Sequence, residues 1–277
     1  MNPVDKYNKR ARKINSLLCV GLDSEFDKIP EKFKSLKFPQ FEFNEWLIKE
    51  TYEYAAAFKL NSAFYEARGM RGMEELKMTI DYLNQNHPDI FTILDAKRAD
   101  IGNTNKSYIF EIFDWLNFDA VTIHPYLGQE AVQPFLDRKD KISIVLCKTS
   151  NKGAGEFQDL EMRQSFNVAQ YKPLWQIVAE NVFGKWNKNN NCMLLIGATY
   201  PEEIKKIRKI TGDMTFLVPG VGIQGGDLQV VIKVGLNSEG LGLIINSSRD
   251  IIFSENPKEE AQKLCEEIRK YRSTQLV

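Results

Sequence analysis

The segment DAKRADIGNT, residues 95–104, carries Asp95, Lys97 and Asp100 directly after the apolar run Ile90–Leu94. In an extended strand, side chains at i and i+2 share a face. Asp95 and Lys97 should therefore leave a buried strand side by side, with Asp100 on the loop just beyond. Charges gathered at the end of a core strand cost desolvation free energy unless they are paired or put to use. This cluster is therefore the first candidate for an active site. A solvated ion-pair turn is the plainer alternative. Lys59, inside the apolar run of AAAFKLNSAF, adds an ammonium that a strand would bury, and a buried lysine needs a partner or a task.

Such a cluster depends on the elements that position it. Short β-rich apolar runs recur at Leu17–Leu22, Ala55–Leu60, Ile90–Asp95, Ala120–His124, Ile142–Cys147, Cys192–Gly197, Thr215–Val218 and Leu241–Asn246. Helical patterns separate most of them: Met73, Leu76, Ile80 and Leu83 keep three- to four-residue spacing, as do Ile204, Ile207 and Ile210. A last helix carries Ala261, Leu264, Cys265, Ile268 and Tyr271 on one stripe, after Pro257 at a first-turn position. Near-continuous apolar strands alternating with helices imply a parallel sheet covered by helices. Eight such units in about 250 residues suit a (β/α)8 barrel, read as a single domain over residues 1–277. A doubly wound open sheet is the alternative. Three stretches read as irregular: Phe38–Phe43 with its Pro39, as part of the strand-one loop; the Asn-rich 187–191; and 148–171, as a mobile loop over the end of strand five.

Composition narrows the partners. Of 277 residues, 43% are apolar and 27% charged, the balance of an ordinary soluble globular protein. Lys plus Arg and Asp plus Glu both number 37, so no global field draws the chain to nucleic acid or an anionic membrane, and an anion would need a local site. The N-terminal MNPVDKYNKRARKIN lacks the apolar core of a secretory signal. No apolar run approaches the ~18 residues that span a bilayer. Cys19, Cys147, Cys192 and Cys265 are scattered without CxxC spacing, which reads as buried reduced thiols and a cytoplasmic protein. With only His87 and His124, a multi-histidine metal centre is not expected.

In a parallel barrel the active site lies at the C-terminal strand ends. Asp23 ends strand one, Lys59 lies in strand two, and Asp95, Lys97 and Asp100 close strand three. Thr122 and His124 end strand four, and Lys148, Thr149 and Ser150 follow strand five. Alone, Asp23 also reads as a turn residue or helix cap, His124 before Pro125 reads as structural, and Ser150 is uninformative. Strand seven runs into VPGVGIQGGD, where Gly220, Gly222, Gly225 and Gly226 would let backbone N–H groups approach a ligand. Arg249, after Ser247 and Ser248 where a new helix could begin, suits a bidentate grip on a phosphate.

These residues resemble the orotidine 5′-phosphate decarboxylase family, in the branch whose third-strand motif is DAKRxDIGxT. LCVGLD, FKLNSAFYE, DAKRADIGNT, CKTSN, VPGVGIQGGD and NSSR occur in the expected order across nearly the whole chain. The resemblance implies decarboxylation of orotidine 5′-phosphate to uridine 5′-phosphate, without cofactor or metal. It makes Lys59, Asp95, Lys97 and Asp100 an alternating charged network with Lys97 the proton donor. It implies a homodimer in which Asp100 and Thr104 reach into the neighbouring subunit's site. Asp23 would bind a ribose hydroxyl, with Lys59 close to the sugar, and Ser150 would contact the pyrimidine edge. Gln224 would bridge towards the phosphate, held by Arg249 with backbone around Gly222 and Ser248. Two residues depart from the pattern: Ala99, where glycine is expected, and His124, where asparagine is expected before Pro-Tyr. Ala99 is harmless unless that position needs a positive φ. The nearest rival is a Mg²⁺-dependent sugar-phosphate lyase or decarboxylase on a related barrel. It would need a further acidic ligand near strand two, where Glu66 lies. A catalytically silent phosphate-binding barrel is the rival of another class.

Overall fold

The structure, a computed structural model, describes residues 3–165, 168–221 and 225–275. Among the described residues there are ten strands: β1 Leu18–Gly21, β2 Ala57–Asn61, β3 Phe91–Arg98, β4 Ala120–Ile123, β5 Ile142–Lys148, β6 Glu161–Ser165, β7 Val168–Pro173, β8 Cys192–Ile196, β9 Phe216–Pro219 and β10 Leu243–Ser247. Eight of them close a parallel barrel in the order β1-β10-β9-β8-β5-β4-β3-β2, with helices between successive barrel strands. The open-sheet alternative is thereby ruled out. All eight expected strands form, with ends displaced by a residue or two and β3 extended to Arg98.

The barrel strands are apolar along most of their length because both faces are covered, by packed side chains inside and by helices outside, and their polar residues gather towards the C-terminal ends. Helix 69–86 buries Leu76, Ile80 and Leu83, and helix 257–273 buries Ala261, Cys265 and Ile268 with Pro257 in its first turn. The four cysteines are free and buried. Helix 4–14 closes the N-terminal mouth: the Tyr7 hydroxyl donates to the Leu243 carbonyl at 2.5 Å and Arg10 to the Ala55 carbonyl at 3.2 Å. No helix among the described residues is long and apolar enough to cross a membrane.

Two stretches differ from the sequence reading. Phe38–Phe43 is not loop, because helix 39–51 starts at Pro39. Proline suits the first helical position, where its missing N–H is no loss. The free amides of Gln40 and Phe41 donate to the fully buried Glu75 carboxylate at 2.6 and 2.9 Å. The described residues of 148–171 are not irregular either. A turn of helix at 155–158 is followed by the antiparallel β6–β7 hairpin, so the connection after β5 carries structure of its own.

Candidate active site

Register between neighbouring strands brings the charged residues together. Gly21 pairs with Lys59, and Asn61 pairs with Asp95, so β1, β2 and β3 deliver polar side chains to one end of the barrel. There Lys59 Nζ lies 2.9 Å from Asp23 Oδ1 and 3.8 Å from Asp95 Oδ2, and Lys97 Nζ lies 2.8 Å from Asp95 Oδ1. The result is an alternating row, Asp23–Lys59–Asp95–Lys97, with no net charge. Lys59 is only 4% exposed. Burial pushes its pKa down, but the carboxylates of Asp23 and Asp95 more than reverse this and the net displacement is upward. For Asp95, burial pushes up while Lys59, Lys97 and the Thr122 hydroxyl pull down, leaving it below the usual carboxylate range. Both groups are thus held charged, and Asp23 binds through Lys59 whatever its role towards a ligand.

Asp95 and Lys97 do leave the strand together, though not by regular pleating. The pairing of β3 with β4 shifts between Leu94 and Arg98, and Lys97 adopts a left-handed φ of 48°. Ala99 follows at φ 148°, so the position does need the backbone freedom that glycine would supply. Ala99→Gly should change stability by less than about 1 kcal/mol, since relief of strain offsets a lost buried methyl and a more flexible unfolded chain. Ala99→Val should cost more than about 2 kcal/mol, because a β-branched residue is poorly tolerated at this φ. Denaturant melts of the two variants decide, and a tolerated valine would contradict the strain argument.

Asp100 is not brought into the same group. Its Oδ1 accepts the Ile101 N–H at 2.7 Å, and its own N–H donates to Asn105 Oδ1 at 2.8 Å. Asn105 is fully buried and also donates to the Ala131 carbonyl at 2.7 Å, which fixes the loop against helix 128–136. Neither Asp100 nor Thr104 lines the cavity of its own chain. Glu66, the acidic residue near strand two, is ion-paired with Arg98.

The cavity has a volume of about 540 Å³ and opens over the C-terminal strand ends, where Asp23, Lys59, Asp95 and Lys97 line it with Ser150, Ser248 and Arg249. Close backbone approach shapes two of its walls. A Cβ on Gly21 would meet Ser248 Cβ and Oγ at 2.9 Å, and one on Gly197 would meet Ser150 Cα at 2.8 Å. The Ser248 hydroxyl donates to the Gly21 carbonyl at 2.8 Å. Arg249 is exposed and opens a helical turn at 249–252, opposite Gly220 and Val221. Gly222 and Gln224 lie outside the described residues.

Sequence reasoning passed over Asn61, Gln158 and Asn246, which also line the cavity. Asn61 is two residues beyond Lys59 and shares its strand face, so strand periodicity alone could have found it. Gln158 had no such signal. It is held by the helical turn after β5, where it accepts the Thr149 N–H at 2.9 Å and donates to the Thr149 hydroxyl at 2.8 Å. Beside it the fully buried Lys148 pairs with Asp159 at 2.5 Å. His124 does not line the cavity, so its departure from the family pattern leaves the lining untouched.

A family model described as "Orotidine 5'-phosphate decarboxylase / HUMPS family" matches residues 16–264. The chain is 41% identical over 264 residues to the orotidine 5'-phosphate decarboxylase of Cellvibrio japonicus (strain Ueda107), covering 95% of this chain and 93% of that protein. Its fold superposes on the structure of Leishmania donovani OMP decarboxylase with a TM-score of 0.86 at 38% identity, covering 99% of this chain and all (100%) of the other. Against the structure of Leishmania donovani UMP synthase the TM-score is 0.87 at 39% identity, over 98% of this chain and 57% of that one.

Proposed function

The chain belongs to the orotidine 5′-phosphate decarboxylase / HUMPS family, and from that premise we propose how it removes the carboxylate of orotidine 5′-phosphate to give uridine 5′-phosphate. Losing CO₂ from C6 leaves the bonding electron pair in the ring plane, where the π system cannot delocalise it. Stabilisation must then come from charge already in place. The ammonium of Lys97, at the open end of the row and 49% exposed, is the group that meets that electron pair. The C6–carboxylate bond breaks, CO₂ departs, and a proton from Lys97 Nζ forms the new C6–H bond. Lys97 then regains its proton from water. Asp95, fixed by Lys59, Lys97 and Thr122, holds the ammonium in position, so no cofactor or metal is required. The single observation that carries this reading is the 2.8 Å Lys97–Asp95 pair at the cavity wall, backed by buried Lys59.

In the same reading Asp23 takes a ribose hydroxyl, Ser150 the pyrimidine edge, and Arg249 with Ser248, Gly222 and Gln224 the phosphate. Asp100 and Thr104 serve the cavity of a second subunit. Their position off their own cavity supports this, as does the exposure of Ile101 (59%), Phe110 (64%) and Tyr126 (80%) on the elements after β3 and β4. The metal-dependent lyase reading draws no support from Glu66, which pairs with Arg98 and does not line the cavity.

The test is turnover. Purified protein should consume orotidine 5′-phosphate, and Arg249→Ala should raise KM by roughly a hundredfold while kcat stays within about tenfold, the pattern of a lost charge-assisted grip on the phosphate. An unchanged KM would remove Arg249 from the phosphate site.

A further inference from the structure

Thr122 sits on β4, fully buried and absent from the cavity lining, yet its hydroxyl touches both members of the reacting pair. Thr122 Oγ1 donates to Asp95 Oδ1 at 2.8 Å and accepts the Lys97 N–H at 3.0 Å. The second bond answers a defect in the sheet. Pairing runs Leu94 with Val121 and then Arg98 with Ile123, so β3 spends two more residues than β4 across this interval. The extra length bulges Lys97 into its left-handed φ of 48°, and the threonine oxygen takes up its N–H. The first bond orients the carboxylate. Asp95 Oδ1 receives both Thr122 Oγ1 and Lys97 Nζ, which leaves Oδ2 turned towards Lys59. One hydroxyl, with one proton to give and lone pairs to accept, thus fixes a backbone strain and a side-chain rotation together.

We propose that Thr122 is the positioning residue of this site: it holds the Lys97 bulge and the Asp95 carboxylate in the arrangement that aims the ammonium into the cavity. The proposal rests on the reading that Lys97 and Asp95 carry the reaction. Because Thr122 is shielded from the cavity, its loss should act on the reacting groups and not on substrate contacts. Thr122→Val, nearly the same shape without the hydroxyl, should lower kcat by roughly ten- to a hundredfold and move KM by less than about threefold. Thr122→Ser, which keeps the hydroxyl, should recover most of kcat, a rescue that a merely space-filling role would not give. If the valine variant does not fold, Thr122→Ser against Thr122→Ala makes the same comparison. Serine faster than alanine by at least about tenfold supports the proposal, and equal rates overturn it. A folded valine variant with kcat within about twofold of the parent also overturns it. Lys97→Ala run alongside separates the two levels. If that variant is inactive while Thr122→Val is normal, only the role of Thr122 fails. If Lys97→Ala is itself active, the reading beneath it fails too.

Discussion

Lys97→Ala is expected to lower kcat by at least about 10⁴-fold, because one substitution removes both the charge that meets the carbanion and the proton that quenches it. Loss of fold should not account for this. Lys97 is half exposed, and after its removal Asp95 keeps the Thr122 hydroxyl at 2.8 Å and the Lys59 ammonium at 3.8 Å. Alanine also has less side chain than lysine to place at the left-handed φ of 48°. The melting temperature should therefore stay within a few degrees of the parent, about 1 kcal/mol of stability. Stopped assays at high enzyme concentration measure the residual rate, and circular dichroism checks the fold. Near-parental turnover by this variant would sink the mechanism.

The second large effect is complementation between two dead chains. Asp100 and Thr104 lie off the cavity of their own chain, Asp100 on a loop that Asn105 locks to helix 128–136 and Thr104 in helix 102–109. If their work is done in the neighbouring subunit's site, Asp100→Ala and Lys97→Ala should each be inactive alone. Mixed after dissociation, half the dimers contain one chain of each kind. In each mixed dimer, one site pairs an intact Lys97 with an intact partner Asp100. Activity should then return to roughly one quarter of the parental value. Activity that stays at the level of the separate variants would mean that Asp100 acts within its own chain, or not at all.

How much of this was legible in sequence follows from which interactions are local. The eight barrel strands announced themselves because both faces of each are buried, which writes an unbroken apolar run. Lys59 and Asp95 stood out because a charge inside such a run has to be answered elsewhere. The answer itself is tertiary: the pairing of Lys59 with Asp23 spans β1 and β2, and no local pattern encodes it. Strand spacing set Lys97 beside Asp95, and the two do pair, across a bulge that no periodicity shows. The left-handed turn through Lys97 and Ala99 keeps Asp100 off the cavity of its own chain. Pro39 misled because a proline in isolation signals a break, whereas a buried Glu75 from a distant helix made it a helix start. The β6–β7 hairpin was missed because its sequence has no sustained apolar alternation. Gln158 was missed because its place depends on the turn just before that hairpin. Ala99 was recognised as a departure, and only the backbone angle showed that it bears strain.

On the proposed mechanism a preorganised Asp–Lys row decarboxylates orotidine 5′-phosphate without help from a metal. The most direct measurement follows the orotidine 5′-phosphate absorbance after purified protein is added in the presence of EDTA. We expect the absorbance to fall at the same rate with and without the chelator, with uridine 5′-phosphate as the product. No loss of absorbance, or a loss that EDTA abolishes and Mg²⁺ restores, would contradict the account.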